Sequence, residues 1–327
     1  MNSMRKLAAL VWIAVASASN LWAQSPSKFP TKPITVIVAS TPGGSADVET
    51  RFYIDQFQAI NKAVMVVDYK PGASGMIAYS ALAKSTPDGH TLSYSPATIA
   101  LQAALREKMP FDALNDLSPI TQTTTRLFVL AVRATFPATN YEEFIAYAKA
   151  NPGKVTWSTI GAGGAQHMTG EWLAAATGTK ISFIHYKSVA PALIDIAAGR
   201  VDAVPTSPLS VLSVLDKLKF LAIITPQRSI LFPNLKTVAE TGIPGFSYPA
   251  WNGIIAPGHM SLDLQKQISD MFRNALTTPK AKQFFESAGS QVVASTPDEF
   301  RKMLATEIVR WKKVASDNNI RLTDENN

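Results

Sequence analysis

The chain has 327 residues, a formal charge of +7, 46% hydrophobic residues and no cysteine. That length and apolar content suffice for two substantial cores, and the missing cysteines exclude a disulfide framework, a cysteine–zinc cluster, a lipid-modified cysteine and a catalytic thiol. Lysine and arginine are spread evenly, without a basic run interleaved with aromatics, which argues against nucleic acid as a partner.

Arg5 and Lys6 precede the apolar residues 7–18, and Leu21-Trp22-Ala23 ends on a small residue before the polar Gln24-Ser25-Pro26. This is the pattern of a secretory signal occupying residues 1–23, cleaved after Ala23; the apolar run is too short to span a bilayer. Loss of Arg5 and Lys6 leaves a mature charge of +5.

From residue 34 onward, short β-branched runs alternate with helix-sized amphipathic segments. A strand over 34–39 leads through Thr41-Pro42-Gly43-Gly44-Ser45-Ala46-Asp47 into a helix over 46–60. A second strand over 64–68 leads through Lys70-Pro71-Gly72-Ala73-Ser74-Gly75 into a helix over 76–84, and 91–95 is a third strand. Continuous β-branched strands covered by helices predict a doubly wound α/β lobe with its loops gathered at the carboxyl edge of the sheet.

The middle of the chain repeats this grammar. Strands are expected over 127–132, 155–159, 181–185, 203–206 and 221–224, with Asn140 and Glu143 forming a capping box and helices over 166–177, 190–198 and 209–217. After an extended connector over 245–251, Ser261 caps one helix. Thr296-Pro297-Asp298-Glu299 caps a long amphipathic helix over 300–316, expected to brace the first lobe. The lobes are then 27–126 plus 248–327, and 127–247.

The glycine-rich turns are the candidate binding elements. In the first, Thr41, Gly43, Gly44 and Ser45 offer backbone amides and a hydroxyl at a helix N-terminus, the natural cradle for a carboxylate. Asp47 would repel that carboxylate, so it serves a water, a substrate hydroxyl or an ammonium group, or simply the helix N-terminus. Gly75 closes the second turn, and Ser74 offers a small polar contact. Ser95 and Thr98 follow the third strand as rim hydroxyls or turn caps.

From the second lobe, Ser158, Thr159, Gly161, Gly163, Gln166 and His167 form the opposing clamp, with a structural role the stronger reading for His167. Tyr186, Thr206 and Ser207 stand at further strand ends, with packing the alternative for Tyr186, and Trp251 precedes Asn252-Gly253, with interlobe packing its stronger reading. Neither glycine spacing matches a nucleotide-binding fingerprint, so no cofactor and no metal is expected.

In this order Pro33 through Ala39, the first turn, the second turn, Thr86-Pro87-Asp88-Gly89-His90-Thr91-Leu92, Tyr147-Ala148-Lys149-Ala150-Asn151-Pro152-Gly153-Lys154 and Lys187-Ser188-Val189-Ala190-Pro191-Ala192-Leu193 resemble the extracytoplasmic solute-binding proteins of tripartite tricarboxylate transport systems, including the Bordetella uptake-gene (Bug) family. The resemblance covers most of residues 30–320. It implies a type II periplasmic binding-protein fold, two doubly wound lobes around a ligand cleft. It also implies a monomeric periplasmic protein that captures an organic mono- or dicarboxylate and delivers it to an inner-membrane permease.

Ser45 where a third glycine is common, Tyr69-Lys70 before Pro-Gly-Ala, and Val204-Pro205-Thr206-Ser207 without Phe-Asp depart from the family pattern. An aromatic, terephthalate-like dicarboxylate is the alternative ligand. A secreted carboxylic-ester hydrolase is the alternative from another class, disfavoured because no GxSxG elbow or Ser–His–Asp placement is present; the expectation is binding without turnover.

Overall fold

The computed structural model describes residues 29–43, 45–229, 231–248, 250–287 and 289–320, with backbone alone for Ser45 and Leu209. The expected export signal and its cleavage point after Ala23, Gly44, and the 321–327 tail lie outside the described residues.

In chain order the strands are β1 (Ile34–Val38), β2 (Met65–Tyr69), β3 (Thr91–Pro96), β4 (Leu117–Arg126), β5 (Val129–Arg133), β6 (Thr156–Ile160), β7 (Ser182–Tyr186), β8 (Ala203–Thr206), β9 (Leu218–Ile223), β10 (Trp251–Pro257) and β11 (Ser290–Val292). The α-helices are α1 (Ser45–Asn61), α2 (Met76–Ala83), α3 (Thr98–Leu105), α4 (Tyr141–Ala150), α5 (Ala165–Thr177), α6 (Val189–Ala197), α7 (Leu262–Leu276), α8 (Pro279–Ser287) and α9 (Pro297–Asp317). The expected helix over 209–217 is instead a tighter 3-10 segment, Pro208–Lys217, broken at Val214. Long 3-10 runs are uncommon, and this one carries Pro208 at its start.

These elements form a mixed α/β fold with two sheet-containing lobes. The first sheet runs β11-β4-β10-β3-β1-β2 and the second β7-β6-β8-β5-β9. β1 pairs in parallel with β2 and β3, whereas β10 is antiparallel to both β3 and β4. The carboxyl ends of β1 to β4 therefore share one edge. In the second sheet β6 is parallel to β7 and β8, which brings Ile160, Tyr186 and Thr206 to a common edge.

Val36, Val38, Leu92 and Ile254 bury one face of the first sheet under α1 and α7, and Ile37 and Ile255 bury the other under α2 and α9. The chain passes between lobes twice, side by side. Arg126 N–H donates to the Ala250 carbonyl at 2.8 Å, and Phe128 stacks on Tyr248 with ring centroids 4.1 Å apart.

The terminal helix α9 starts as expected, with a reciprocal Thr296–Glu299 capping box and proline in its first turn. It braces more than the first lobe. Phe300, Leu304 and Ile308 pack with Trp251, but the next turns carry Trp311 and Val314 into the core of the second lobe. At 21 residues, or about 32 Å, the helix is long enough to span both; Trp311 meets Trp172 edge-on at 5.7 Å.

Candidate functional site

Loops from the carboxyl edges of the two sheets approach one another, and each is held by a different local device. In the first, Gly43 takes a left-handed conformation (φ 85°) and its N–H donates to Asp47 Oδ2 at 2.8 Å. Asp47 Oδ1 accepts from Arg51 Nε at 2.9 Å and from the Tyr69 hydroxyl. Burial opposes ionisation of Asp47, but Tyr69, the Gly43 N–H and Arg51 outweigh it and hold the carboxyl below its ordinary range.

Asp47 is thus an ionised carboxylate already engaged by its own loop, which fits the turn-organising reading. Thr41 and Gly43 are exposed at the rim. Ser45 opens α1, where backbone N–H groups lack helical acceptors.

Replacing Asp47 by asparagine removes charge-assisted hydrogen bonds worth about 2 kcal/mol in total. Because the folded-state carboxyl is more acidic than the free one, its stabilisation is complete above about pH 4, the unfolded carboxylate value, and is lost as pH falls through the folded-state value. Urea unfolding of parent and Asp47→Asn should therefore differ at pH 7 and converge toward pH 2; a constant gap would refute this role.

The second loop is bent by four successive positive φ angles: Gly72 121°, Ala73 46°, Ser74 50° and Gly75 91°. A side chain at Gly75 would stand 2.7 Å from the Tyr79 ring, so glycine is required there for space as well as for backbone. Ala73 and Ser74 pay a left-handed penalty of about 1 kcal/mol or more each. The hydroxyl of Ser74 crosses to the other lobe, donating to the Ala162 carbonyl at 2.6 Å.

Ser95 is fully buried and its hydroxyl donates to the Pro96 carbonyl at 3.3 Å; half-buried Thr98 opens α3. From α3, fully buried Gln102 donates through Nε2 to the Gly163 carbonyl at 3.1 Å. Gln102 is not among the residues expected to bind, although one amide side chain inside the apolar run Thr-Ile-Ala-Leu-Gln-Ala-Ala-Leu is a signal in itself.

The second-lobe loop between β6 and α5 turns at Gly161 (φ 76°) and Gly163 (φ 69°). Gly161 N–H donates to the Tyr186 carbonyl at 3.1 Å, and Gly163 N–H donates to His167 Nδ1 at 3.0 Å. His167 is buried, with Nε2 3.3 Å from Glu171 and its ring edge-on to both Phe183 and His185. Gln166 spends its whole amide on backbone, accepting from Ile160 N–H and donating to the Pro205 carbonyl at 3.0 Å.

The Thr159 hydroxyl meets His185 Nδ1 at 2.5 Å. Burial, then neighbouring His167, keep His185 less basic than an ordinary imidazole. Ser158 is 1% exposed, and no partner to its hydroxyl is found among the described residues.

The Tyr186 hydroxyl donates to Asp195 at 2.6 Å, Thr206 to the Ser207 carbonyl at 3.2 Å, and Ser207 pairs with Ser210 at 2.7 Å. Trp251 is 5% exposed and edge-on to Phe300 at 5.5 Å in the first-lobe core. The loops carrying Gly75 and Gly161–Gly163 therefore meet directly, whereas Gln166 and Tyr186 have their polar groups engaged within the protein, the Trp251 ring is packed on Phe300, and the N–H groups of Gly43, Gly75, Gly161 and Gly163, expected to face a ligand, donate to internal acceptors instead. Among the described residues no group of three or more His, Asp or Glu is gathered to hold a metal ion.

Residues 53–320 match the family described as "Tripartite tricarboxylate transporter family receptor". The chain is 32% identical to Protein BugT of Bordetella pertussis over 324 residues, 98% of this chain and 99% of that protein. Among solved structures it is similar to one described as a periplasmic transporter, with TM-score 0.83 and 32% identity over 90% of this chain and all of the other. It is also similar to Rpa4515 of R. palustris, solved with adipate, at TM-score 0.82 and 26% identity over 90% and 99% of the two chains.

Proposed function

The chain belongs to the tripartite tricarboxylate transporter receptor family, and from that membership we propose that it captures a small organic carboxylate in the periplasm and hands it to the membrane permease of such a transporter. The observation that carries this reading is the meeting of two glycine turns from different lobes, at residues 72–75 and 161–163, beside the first turn at the N-terminus of α1. With the Gly43, Gly161 and Gly163 N–H groups turned to internal acceptors, the N-termini of α1 and of α5, the latter without a side-chain cap, are the donors that stabilise a carboxylate without an opposing side-chain charge. The adipate bound by the R. palustris relative supports a ligand of that chemical class.

The finer picture is a type II binding-protein fold: two doubly wound lobes, 27–126 plus 248–327 and 127–247, that close over the ligand as a monomer after export and cleavage at Ala23. The two sheets and the paired crossings at Arg126 and Ala250 support that division. An aliphatic acid is favoured over an aromatic one, because the Tyr186 hydroxyl is committed to Asp195 and Trp251 is packed on Phe300. Binding without chemical turnover is part of the same reading, supported by the Ser95 and Thr206 hydroxyls donating to nearby backbone carbonyls and by Ser207 pairing with Ser210, so that none of these three meets a general base.

Thermal-shift screening of the mature protein against mono-, di- and tricarboxylic and aromatic acids tests it, with calorimetry on hits. A ligand present at a hundred times its Kd adds about 2.7 kcal/mol of apparent stability. The expected result is a saturable one-to-one shift with an aliphatic acid such as adipate, recovered intact. Absence of saturable binding across the panel, or hydrolysis of an ester substrate abolished by a single serine substitution, would overturn it.

A further inference from the structure

Two side chains of the first lobe hold two consecutive carbonyls of the second-lobe glycine loop, and they are not equivalent. Gln102, which holds Gly163, is fully buried on α3, and its neighbour Leu101 belongs to the core cluster of the second lobe with Trp157 and Trp172. Parting the lobes at Gln102 would tear that core. Gln102 is a pivot.

Ser74 is differently placed. It sits half-buried on a single turn of 3-10 helix, outside any of the core clusters, with its backbone in the left-handed region. A strained non-glycine residue persists where its side chain does something the alternative conformations cannot. Here its hydroxyl reaches the Ala162 carbonyl at 2.6 Å, the one polar side-chain contact of that turn with the other lobe among the described residues.

The contact extends past one hydrogen bond. The Ala162 carbonyl and the Gly163 N–H belong to the same peptide unit and point in opposite directions. The Gly163 N–H donates to His167 Nδ1 at 3.0 Å, and His167 Nε2 faces Glu171 at 3.3 Å. One peptide plane of the glycine loop is therefore held from both sides, by Ser74 across the cleft and by His167 from behind. Chained hydrogen bonds of this kind polarise and reinforce one another.

We propose that Ser74 is the closing latch of the cleft: its hydroxyl grips the second-lobe glycine loop through the Ala162 carbonyl and thereby sets how long a captured acid is retained. Ser74 acts as a positioning residue, orienting the loop that faces the ligand. The retention half of the proposal rests on the carboxylate-capture reading, whereas the closing half does not.

The absence of cysteine allows the two halves to be tested in one protein. Cysteines introduced at exposed Asp55 on α1 and exposed Lys149 on α4 take a pair of spin labels, and pulsed dipolar spectroscopy reads the interlobe distance distribution with and without adipate. In ligand-free protein Ser74→Ala should lower the closed-to-open ratio about three- to tenfold, the equivalent of one net hydrogen bond. With adipate the dissociation rate should rise by a similar factor while the association rate and the ligand-free melting temperature hold.

Ser74→Gly, which also removes the left-handed strain, should melt at the same or a higher temperature yet release adipate as fast as Ser74→Ala. A merely structural serine would not separate stability from retention in this way. An unchanged distance distribution in ligand-free Ser74→Ala overturns the latch. If adipate fails to move the distribution of the parent, the carboxylate-capture reading fails for that acid, and the ligand-free comparison still decides the latch.

Discussion

Replacing Glu49 by alanine should cost about 3–5 kcal/mol, the penalty for stranding a buried charge without its partner. Glu49 lies on α1 two residues beyond Asp47, at 5% exposure, and its carboxylate is paired with the guanidinium of Arg126 at the end of β4. Tyr94 from β3 donates to the same carboxylate at 3.0 Å, and Asn252 from β10 donates at 3.2 Å. Burial, opposed in part by Tyr248, lowers Arg126 to about 10, still far above neutrality, so its guanidinium is charged at pH 7.

This pair ties the helix behind the first glycine turn to the strand that crosses between lobes. The check is urea unfolding at pH 7. Glu49→Ala should shift the midpoint more than Asp47→Asn does, and Arg126→Met should match it. The double replacement Glu49→Met with Arg126→Met should recover much of the loss, because an apolar pair of similar volume spares both desolvation costs. Recovery should be incomplete, since the Tyr94 hydroxyl is then left without its acceptor while Asn252 keeps Thr124. A single-mutant loss below about 1 kcal/mol would show that water reaches the pair.

Neither half of that pair was legible in the sequence, and the reason is physical. β4 reads Leu-Ser-Pro-Ile-Thr-Gln-Thr-Thr-Thr-Arg, with a proline and six hydroxyl or amide side chains, and periodicity arguments find no strand there. In the fold it lies second from one edge of its sheet, between β11 and β10, and is almost wholly buried. Its polar groups are satisfied one by one: Thr123 by Tyr53, Thr124 by Asn252, and Thr121 by the Ser295 carbonyl. A strand that buries polar atoms against polar partners is invisible to any rule that equates burial with apolarity.

The parallel strand β1 was readable because its aliphatic run is buried on both faces, and the half-exposed edge strand β2 because its valines lead into a Pro-Gly turn. β1, β2 and β3 begin and end within a residue or so of the β-branched runs that announced them. The helix caps at Asn140, Ser261 and Thr296 were readable too, since a cap is a local contract between residues three apart. Contacts across the cleft have no such local signature. Ser74 and Ala162 are 88 positions apart, and nothing in either turn names the other.

Gly161→Ala should weaken adipate binding by about five- to tenfold and lower the melting temperature with it. Two costs add. At φ 76° an alanine pays a left-handed penalty of about 1–2 kcal/mol. Its Cβ would also stand 3.1 Å from Ser74 Oγ, too close for comfort beside the hydroxyl that grips Ala162, so the second loop must give way by a few tenths of an ångström. Losing that hydrogen bond adds about 1 kcal/mol.

Gly178 separates these costs. It has a comparable φ of 65° at the end of α5, but a Cβ there meets nothing within 4 Å. Gly178→Ala should therefore lower the melting temperature through backbone strain and leave the adipate Kd within twofold of the parent. Gly161→Ala should lower both. Calorimetry and thermal melts on the two variants read the difference, and equal effects on affinity would mean that the meeting of residues 72–75 with 161–163 does not govern capture. The Ser74→Ala background supplies the decisive step: once the hydroxyl is gone the steric part of the Gly161→Ala penalty should shrink, so the two substitutions should combine to less than the product of their separate effects.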